Sequence, residues 1–334
     1  MMKPVLKTIA IWRRKTSYAY QDIRASLGLT ARTFKAARGA RIVVYHGICQ
    51  DEHLRFNNIF LRRETFEEHL RCYKKYFNIV SLEDYYHGHL SNDRFNICIT
   101  FDDGYANNYT YVLPLLEQYQ VPAAFFITAI REAGYDILWN DFLGVLNKYG
   151  PDELAFRQER FRKRQGLFPR YISLTSGIGL RETLMQEGFG PKAALIEAFG
   201  SSVPSGGNED YWLQMTAGQI RILAASPWVT IGAHGYYHND LSKISIAGAE
   251  KEMFGCKQYL ERITGKEVQA LAFPYGTYTA AVVGAAKRAG FSQLLPLDIH
   301  YPDPALRERV IINPYVSVPN QLLNIIKRRY DFWR

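Results

Sequence analysis

Cysteine is scarce in this chain of 334 residues. There are four, Cys49, Cys72, Cys98 and Cys256, and no two form a Cys-x-x-Cys pair. A disulfide framework is therefore excluded, and Cys98, inside an apolar run, reads as a small reduced hydrophobe. Long apolar stretches are missing too: no run reaches the roughly 18 residues that would cross a bilayer. No apolar block of about seven residues follows the basic start, so no secretory signal is visible and a cytoplasmic location is expected. No GxGxxG or Walker sequence occurs, which removes the dinucleotide and P-loop signatures. No nucleic-acid motif is present either, although the net charge is +9.

What is present is core material. Hydrophobic residues make up 47% of the chain and aromatics 14%, enough for one large barrel or two ordinary domains. The excess of Lys and Arg gathers at the ends. Residues 1–40 read as a basic helical arm, and 321–334, ending "KRRYDFWR", as a basic tail. Such ends are expected to be solvated surface or a peripheral contact with anionic lipid.

Between them, strands and helices alternate. "RIVVYH" (41–46), "NICITF" (96–101), "VPAAFFIT" (121–128), "WVTIGAH" (228–234), "QALAFPYG" (269–276), "SQLLP" and "RVIINPYV" read as strands. "RETFEEHLRCYKKYF", "NNYTYVLPLLEQYQ", "TAGQIRILAAS", "GAEKEMFGCKQYLERITG" and "AAVVGAAKRAG" read as helices, with Thr216 as an N-cap and Gly290 as a stop. This alternation predicts an α/β fold, a distorted β/α barrel of about seven parallel strands over 41–320. Residues 131–213 interrupt it. They carry the basic run "RQERFRKRQG" and the polar "SSVPSGGNED", and read as an insertion of helices and loops.

The chemistry-bearing residues follow strand ends. His46, Asp102 and Asp103, His234, and Pro274–Tyr275 all do so. In a β/α barrel those ends share one face, where chemistry is done. "HGYYH" sets His234 and His238 four apart, a spacing that on a helical turn puts both rings on one side. Two imidazoles and a carboxylate make a three-ligand metal site with open positions. Two adjacent carboxylates at a buried strand end are electrostatically costly. A cation on Asp103 would offset that cost and leave Asp102 beside the bound water as general base.

"TFDDGY" (100–105), "HGYYH" (234–238) and "FPYG" (273–276) resemble the principal motifs of the polysaccharide deacetylase family, also called the NodB-homology or carbohydrate esterase family 4 fold, and "AGF" (289–291) fits as well. The resemblance covers roughly 41–130 and 215–315. It implies a metal-dependent deacetylase acting on the N-acetyl group of an amino sugar, in a glycan or in a lipid-linked or nucleotide-linked precursor. Asp102 would be the base and Asp103, His234 and His238 the ligands of a divalent ion, most often zinc, with cobalt, nickel or iron as alternatives. Tyr275 would serve the oxyanion hole through its backbone N–H. An O-acetyl esterase, a deformylase or a non-catalytic glycan-binding protein are the rival readings. Three departures stand out. Gly235 replaces the usual Ser or Thr, the arginine often preceding "FPYG" is missing, and the usual Leu-x-His acid has no clear counterpart. His300 in "LDIH" and His46 are the two candidate acids, and strand-end placement favours His46.

Overall fold

The computed structural model describes residues 15–328, apart from 167, 168, 203, 205 and 208. Seven parallel strands form the barrel: Ala40–Tyr45, Asn96–Phe101, Ala123–Ile127, Val229–Ala233, Ala270–Ala272, Gln293–Leu295 and Arg309–Ile311. Their spatial order is the sequence order except that Arg309–Ile311 lies beside Ala40–Tyr45, and the two-residue strand Asn78–Ile79 adds to Asn96–Phe101. The two free edges meet through hydrogen bonds. Leu294 donates to the Ala305 carbonyl, Arg307 to that of Leu294, and Arg309 to that of Leu297.

Both faces of these strands are buried, which is why they read as near-continuous apolar runs. One alternate set packs outward on the helices: Val43, Tyr45, Ile97, Ile99, Phe101, Phe125 and Ile127. The other set fills the barrel: Ile42, Cys98, Ala124, Phe126, Ala270, Ala272 and Leu295. The filling set is mostly small, and Phe126 supplies the bulk. Gly232 makes room for it, since a Cβ there would sit 2.4 Å from the Phe126 ring.

Helices Arg63–Tyr76, Leu113–Tyr119, Ala217–Ala225, Ile246–Thr264 and Ala280–Arg288 fall where the apolar spacing predicts them. Thr216 forms a capping box with Gln219. The basic arm resolves into helices at 15–26 and Ala31–Ala36; residues 1–14 lie outside the described residues. At the other end, helix Val318–Lys327 runs across position 321, the expected start of the tail. It buries Leu322, Leu323 and Ile325 in the core. Residues 329–334 are outside the described residues.

The insertion is not helices and loops alone. Glu153–Phe156, Glu159–Arg164 and Arg170–Ser173 form an antiparallel three-stranded sheet. The basic run is its middle strand, with Phe161 buried and Glu153 paired to Arg160 and Arg162. Helices Trp139–Tyr149, Leu180–Leu184 and Phe189–Phe199 join it around a second core that includes Phe60 and Tyr105. No helix among the described residues is long and apolar enough to cross a membrane.

Candidate active site

The C-terminal ends of the strands surround a cavity of about 430 Å³. It is lined by His46, Asp102, Asp103, His234, His238 and Tyr275, and also by Asn57, Asp141, Arg181 and Arg309. His300 is elsewhere. It is exposed, and its ring stacks on Tyr278 at 5.4 Å.

Local backbone geometry aims these groups. Asp103 (φ 76), His238 (φ 58) and Tyr275 (φ 61) are left-handed, three of the six such non-glycine residues among those described. That conformation costs an L-residue about 1–2 kcal/mol, and concentration at one cavity marks a site built against local preference. It also corrects the expectation of a helical turn at "HGYYH". Gly235 (φ 77) and His238 both leave helical space, so the segment is an irregular loop. The positive φ at 235 disfavours the usual Ser or Thr. The steadying comes instead from buried Glu252, whose carboxylate accepts from the Tyr237 N–H (3.2 Å) and from Asn239 Nδ2 (2.5 Å).

The metal-type cluster is compact. One ligand atom each from Asp103, His234 and His238 lies within 4.8 Å of the others, and all three residues are buried. His234 Nδ1 donates to the Ala272 carbonyl at 2.8 Å, with its Nε2 facing Asp103 Oδ1 at 3.3 Å. His238 Nε2 is 3.1 Å from the same oxygen. Two ring nitrogens this close to one carboxylate oxygen call for positive charge among them, a ring proton or a cation. The donor set, two imidazoles and a carboxylate with a hydrogen-bonded second nitrogen on His234, therefore fits a divalent ion.

Asp102 answers to a residue that the sequence reading missed. Arg309, from the last strand, projects inside the barrel and donates to both Asp102 oxygens at 2.7 Å. Both side chains are buried. Burial alone would raise the Asp102 pKa, but Arg309 and His234 outweigh it and hold the carboxyl below its ordinary value. The arginine absent before "FPYG" thus has a substitute far along the chain. For Asp103, burial is likewise outweighed by the two histidines, and its pKa falls well below the usual range. Burial lowers the His46 pKa, with Asp103 and Asp102 pulling it back up; its Nδ1 is buried without a protein partner.

The insertion forms the opposite wall. Asp141 receives hydrogen bonds from the Tyr105 hydroxyl (2.8 Å) and Asn57 Nδ2 (3.2 Å). Burial and the charge of Asp103 raise its pKa well above normal. Trp139 Nε1 donates to the His238 carbonyl at 3.2 Å. Lys192, fully buried, donates to Asn239 Oδ1 (2.5 Å) and the Glu187 carbonyl (2.9 Å), with its ammonium 4.6 Å from the Trp139 ring. Burial lowers its pKa to about 8 against the pull of Glu252, Asp240 and Glu187. Two insertion side chains therefore hold the histidine loop.

The polysaccharide deacetylase family model matches residues 90–155 and 205–294. It reaches into the interrupting region, taking in helix Trp139–Tyr149, and leaves 156–204 outside. None of the curated proteins matches the sequence. Among solved structures, the chain is similar to the deacetylase PplD of Streptococcus pyogenes, solved in complex with acetate. Identity is 16%, coverage 87% of this chain and 99% of that one, and the TM-score 0.55. A polysaccharide deacetylase from Bacillus cereus follows at 17% identity, 87% and 69% coverage and TM-score 0.53. IcaB from Ammonifex degensii has 16% identity, 87% and 96% coverage and TM-score 0.52. At these identities the likeness is one of fold.

Proposed function

We propose that the chain is a polysaccharide deacetylase, as the family model over residues 90–155 and 205–294 supports, and that it removes the N-acetyl group of an amino sugar in a glycan or glycan precursor, using a divalent metal. The observation that carries this reading is the convergence of Asp103, His234 and His238 beside an Asp102 kept ionised by Arg309. Zinc, or else cobalt, nickel or iron, held by those three residues would supply Lewis acidity and lower the pKa of water at the site.

Asp102 takes the proton of the attacking water, and Arg309 fixes the orientation of its carboxylate. The water oxygen bonds to the acetyl carbon as the carbonyl π pair moves onto oxygen, where the Tyr275 backbone N–H donates a hydrogen bond. His46 delivers a proton to the departing nitrogen as the C–N bond breaks. Acetate and a free amino sugar leave. Asp141, Asn57 and Arg181 offer polar contacts for the sugar on the insertion side.

The test is acetate release by the metal-loaded chain from a panel of N-acetylated and O-acetylated oligosaccharides, lipid-linked sugars and nucleotide sugars. Release from the N-acetyl members, lost on chelation and regained with zinc or cobalt, is expected. Release confined to the O-acetyl members would make the chain an esterase. Bound metal with no turnover on any substrate would favour a glycan-binding role.

A further inference from the structure

Exposed apolar side chains are unevenly spread over the molecule. Of the 12 large ones exposed among the described residues, four lie within one ten-residue stretch: Tyr20 (60%), Ile23 (60%), Leu27 (67%) and Leu29 (55%). Tyr20, Ile23 and Leu27 recur at the spacing of one helical face, with Leu27 just past the helix at 15–26. The opposite face is tied down. The Tyr18 carbonyl accepts from Asn320, the Tyr18 hydroxyl from Asn324, and the Asp22 carboxylate from Ser317 and Asn320. The apolar stripe is thus held outward on a helix that the core anchors.

The charge along this segment is mostly of one sign. Residues 15–41 contain Lys15, Arg24, Arg32, Lys35, Arg38 and Arg41 against one acid, Asp22, which is already bonded to the last helix. Direction matters as well. Tyr18 touches Asn320 and Asn324, whereas Asp22 touches Ser317 and Asn320, so the helix runs antiparallel to Val318–Lys327. That last helix begins just after the C-terminal end of strand Arg309–Ile311. Ile23 to Leu29 therefore lie toward the rim of the barrel that carries the cavity.

We propose that this face docks on a bilayer bearing anionic headgroups. Tyr20, Ile23, Leu27 and Leu29 enter the interfacial layer, while Arg24, which lies over the Tyr20 ring, and Arg32 and Lys35 meet lipid phosphates. The apolar residues supply area, and the basic ones select the sign of the surface. A second copy of the chain is a poorer partner, because two faces of the same positive sign repel. Docking would bring the cavity rim to the membrane, where a lipid-linked sugar would be presented; the surface itself is independent of the catalytic reading.

The test is flotation of the full chain with vesicles of pure phosphatidylcholine and of phosphatidylcholine containing one-third phosphatidylglycerol. Two variants accompany it, Ile23→Glu with Leu27→Glu, and Arg32→Gln with Lys35→Gln. Wild type should bind the anionic vesicles at least about tenfold more tightly than the neutral ones, and less tightly at high salt. Each variant should lose about tenfold or more of that binding while keeping its melting temperature and its acetate release from a soluble substrate. Equal binding to both vesicle types, or none, would overturn the proposal. Binding that survives both variants would place the contact elsewhere, in residues 1–14 for example, and would overturn it too. A wild-type chain that sediments as a dimer, with monomeric Ile23→Glu/Leu27→Glu, would assign the face to self-association instead.

Discussion

The cavity has two walls of different origin. On one, Asp102, Asp103, His234 and Tyr275 follow barrel strands and carry the groups to which the proposed function gives the chemistry. On the other, Asp141 and Arg181 come from helices of the interrupting region, backed by Trp139 and Lys192. They touch the first wall mainly through backbone and amide groups, at His238 O and Asn239 Oδ1. The strand-end wall holds its ionisable groups in fixed positions. The second wall adds rigidity to the histidine loop, which Glu252 of the barrel also holds, together with the polar surface a sugar would meet. Substitutions on the two sides should therefore fail differently.

The largest effects belong to the strand-end wall. His234→Ala and His238→Ala should abolish both activity and bound metal with the fold retained, read by metal analysis and circular dichroism. Asp103→Asn should weaken metal binding. Asp102→Asn should retain metal and lower turnover by roughly 10²–10⁴, the usual worth of a general base. Equal metal loss in Asp102→Asn and Asp103→Asn would undo the division of roles.

Arg309→Met should cost roughly 3–5 kcal/mol of stability, because it strands a buried carboxylate. Arg309→Met combined with Asp102→Asn should cost less than the sum, and the melting temperatures of the metal-free proteins would reveal it. The pH dependence should also invert. In wild type the folded Asp102 pKa is depressed, so its stabilisation is present above the unfolded value of about 3.9 and lost as pH falls through the folded one. Without Arg309 burial dominates and raises the folded pKa. The Asp102 contribution then favours low pH and is lost as pH rises.

His46→Ala should lower turnover by about 10²-fold or more, spare metal content and remove the alkaline limb of the pH–rate profile, since an acid must hold its proton to act. His300→Ala should leave all three unchanged. A stronger loss in His300→Ala would exchange their roles.

The second wall should give smaller, differently shaped losses. Lys192→Met removes a donor to Asn239, so metal affinity should drop about 10–100-fold, the usual cost of losing an outer hydrogen bond at a metal site. Saturating metal should restore most of the turnover. Asp141→Asn should chiefly raise KM for the sugar, by roughly tenfold or less, with metal binding intact. If Lys192→Met and Asp141→Asn instead behaved like Asp102→Asn, the distinction between the walls would collapse.

The same division explains what could be read from the residues alone. The barrel and the meeting of Asp102, Asp103, His234, His46 and Tyr275 at one cavity were legible because each follows an apolar run, and that of His238 because it stands four residues after His234. Arg309 was not. Barrel interiors are mostly apolar, and nothing local in "RERVIIN" says that this arginine points inward to a carboxylate 207 residues earlier. The histidine spacing suggested a helical turn because i and i+4 carry no information about the left-handed backbone at 235 and 238. The strand "ERFRKR" was hidden because only Phe161 is buried in it, and its cross-strand ion pairs with Glu153 leave no periodic apolar signal. Lys192 looked like a surface lysine, and its burial depends on Asn239 and the Trp139 ring, both distant in sequence.

Barrel closure at Arg309 has a consequence for the timing of maturation. Strand Ala40–Tyr45 leaves the ribosome early but cannot gain its second neighbour until Arg309–Ile311 has been synthesised, some 267 residues after its Ile42 partner. Contacts of such separation form late and slowly. Asp102 waits with them, because the guanidinium that keeps it ionised arrives on that same strand. A nascent chain or a product that ends before Arg309 contains Asp103 and both histidines but lacks the charge that holds Asp102 ionised. On the proposed function, a chain cut short before this closure should therefore release no acetate.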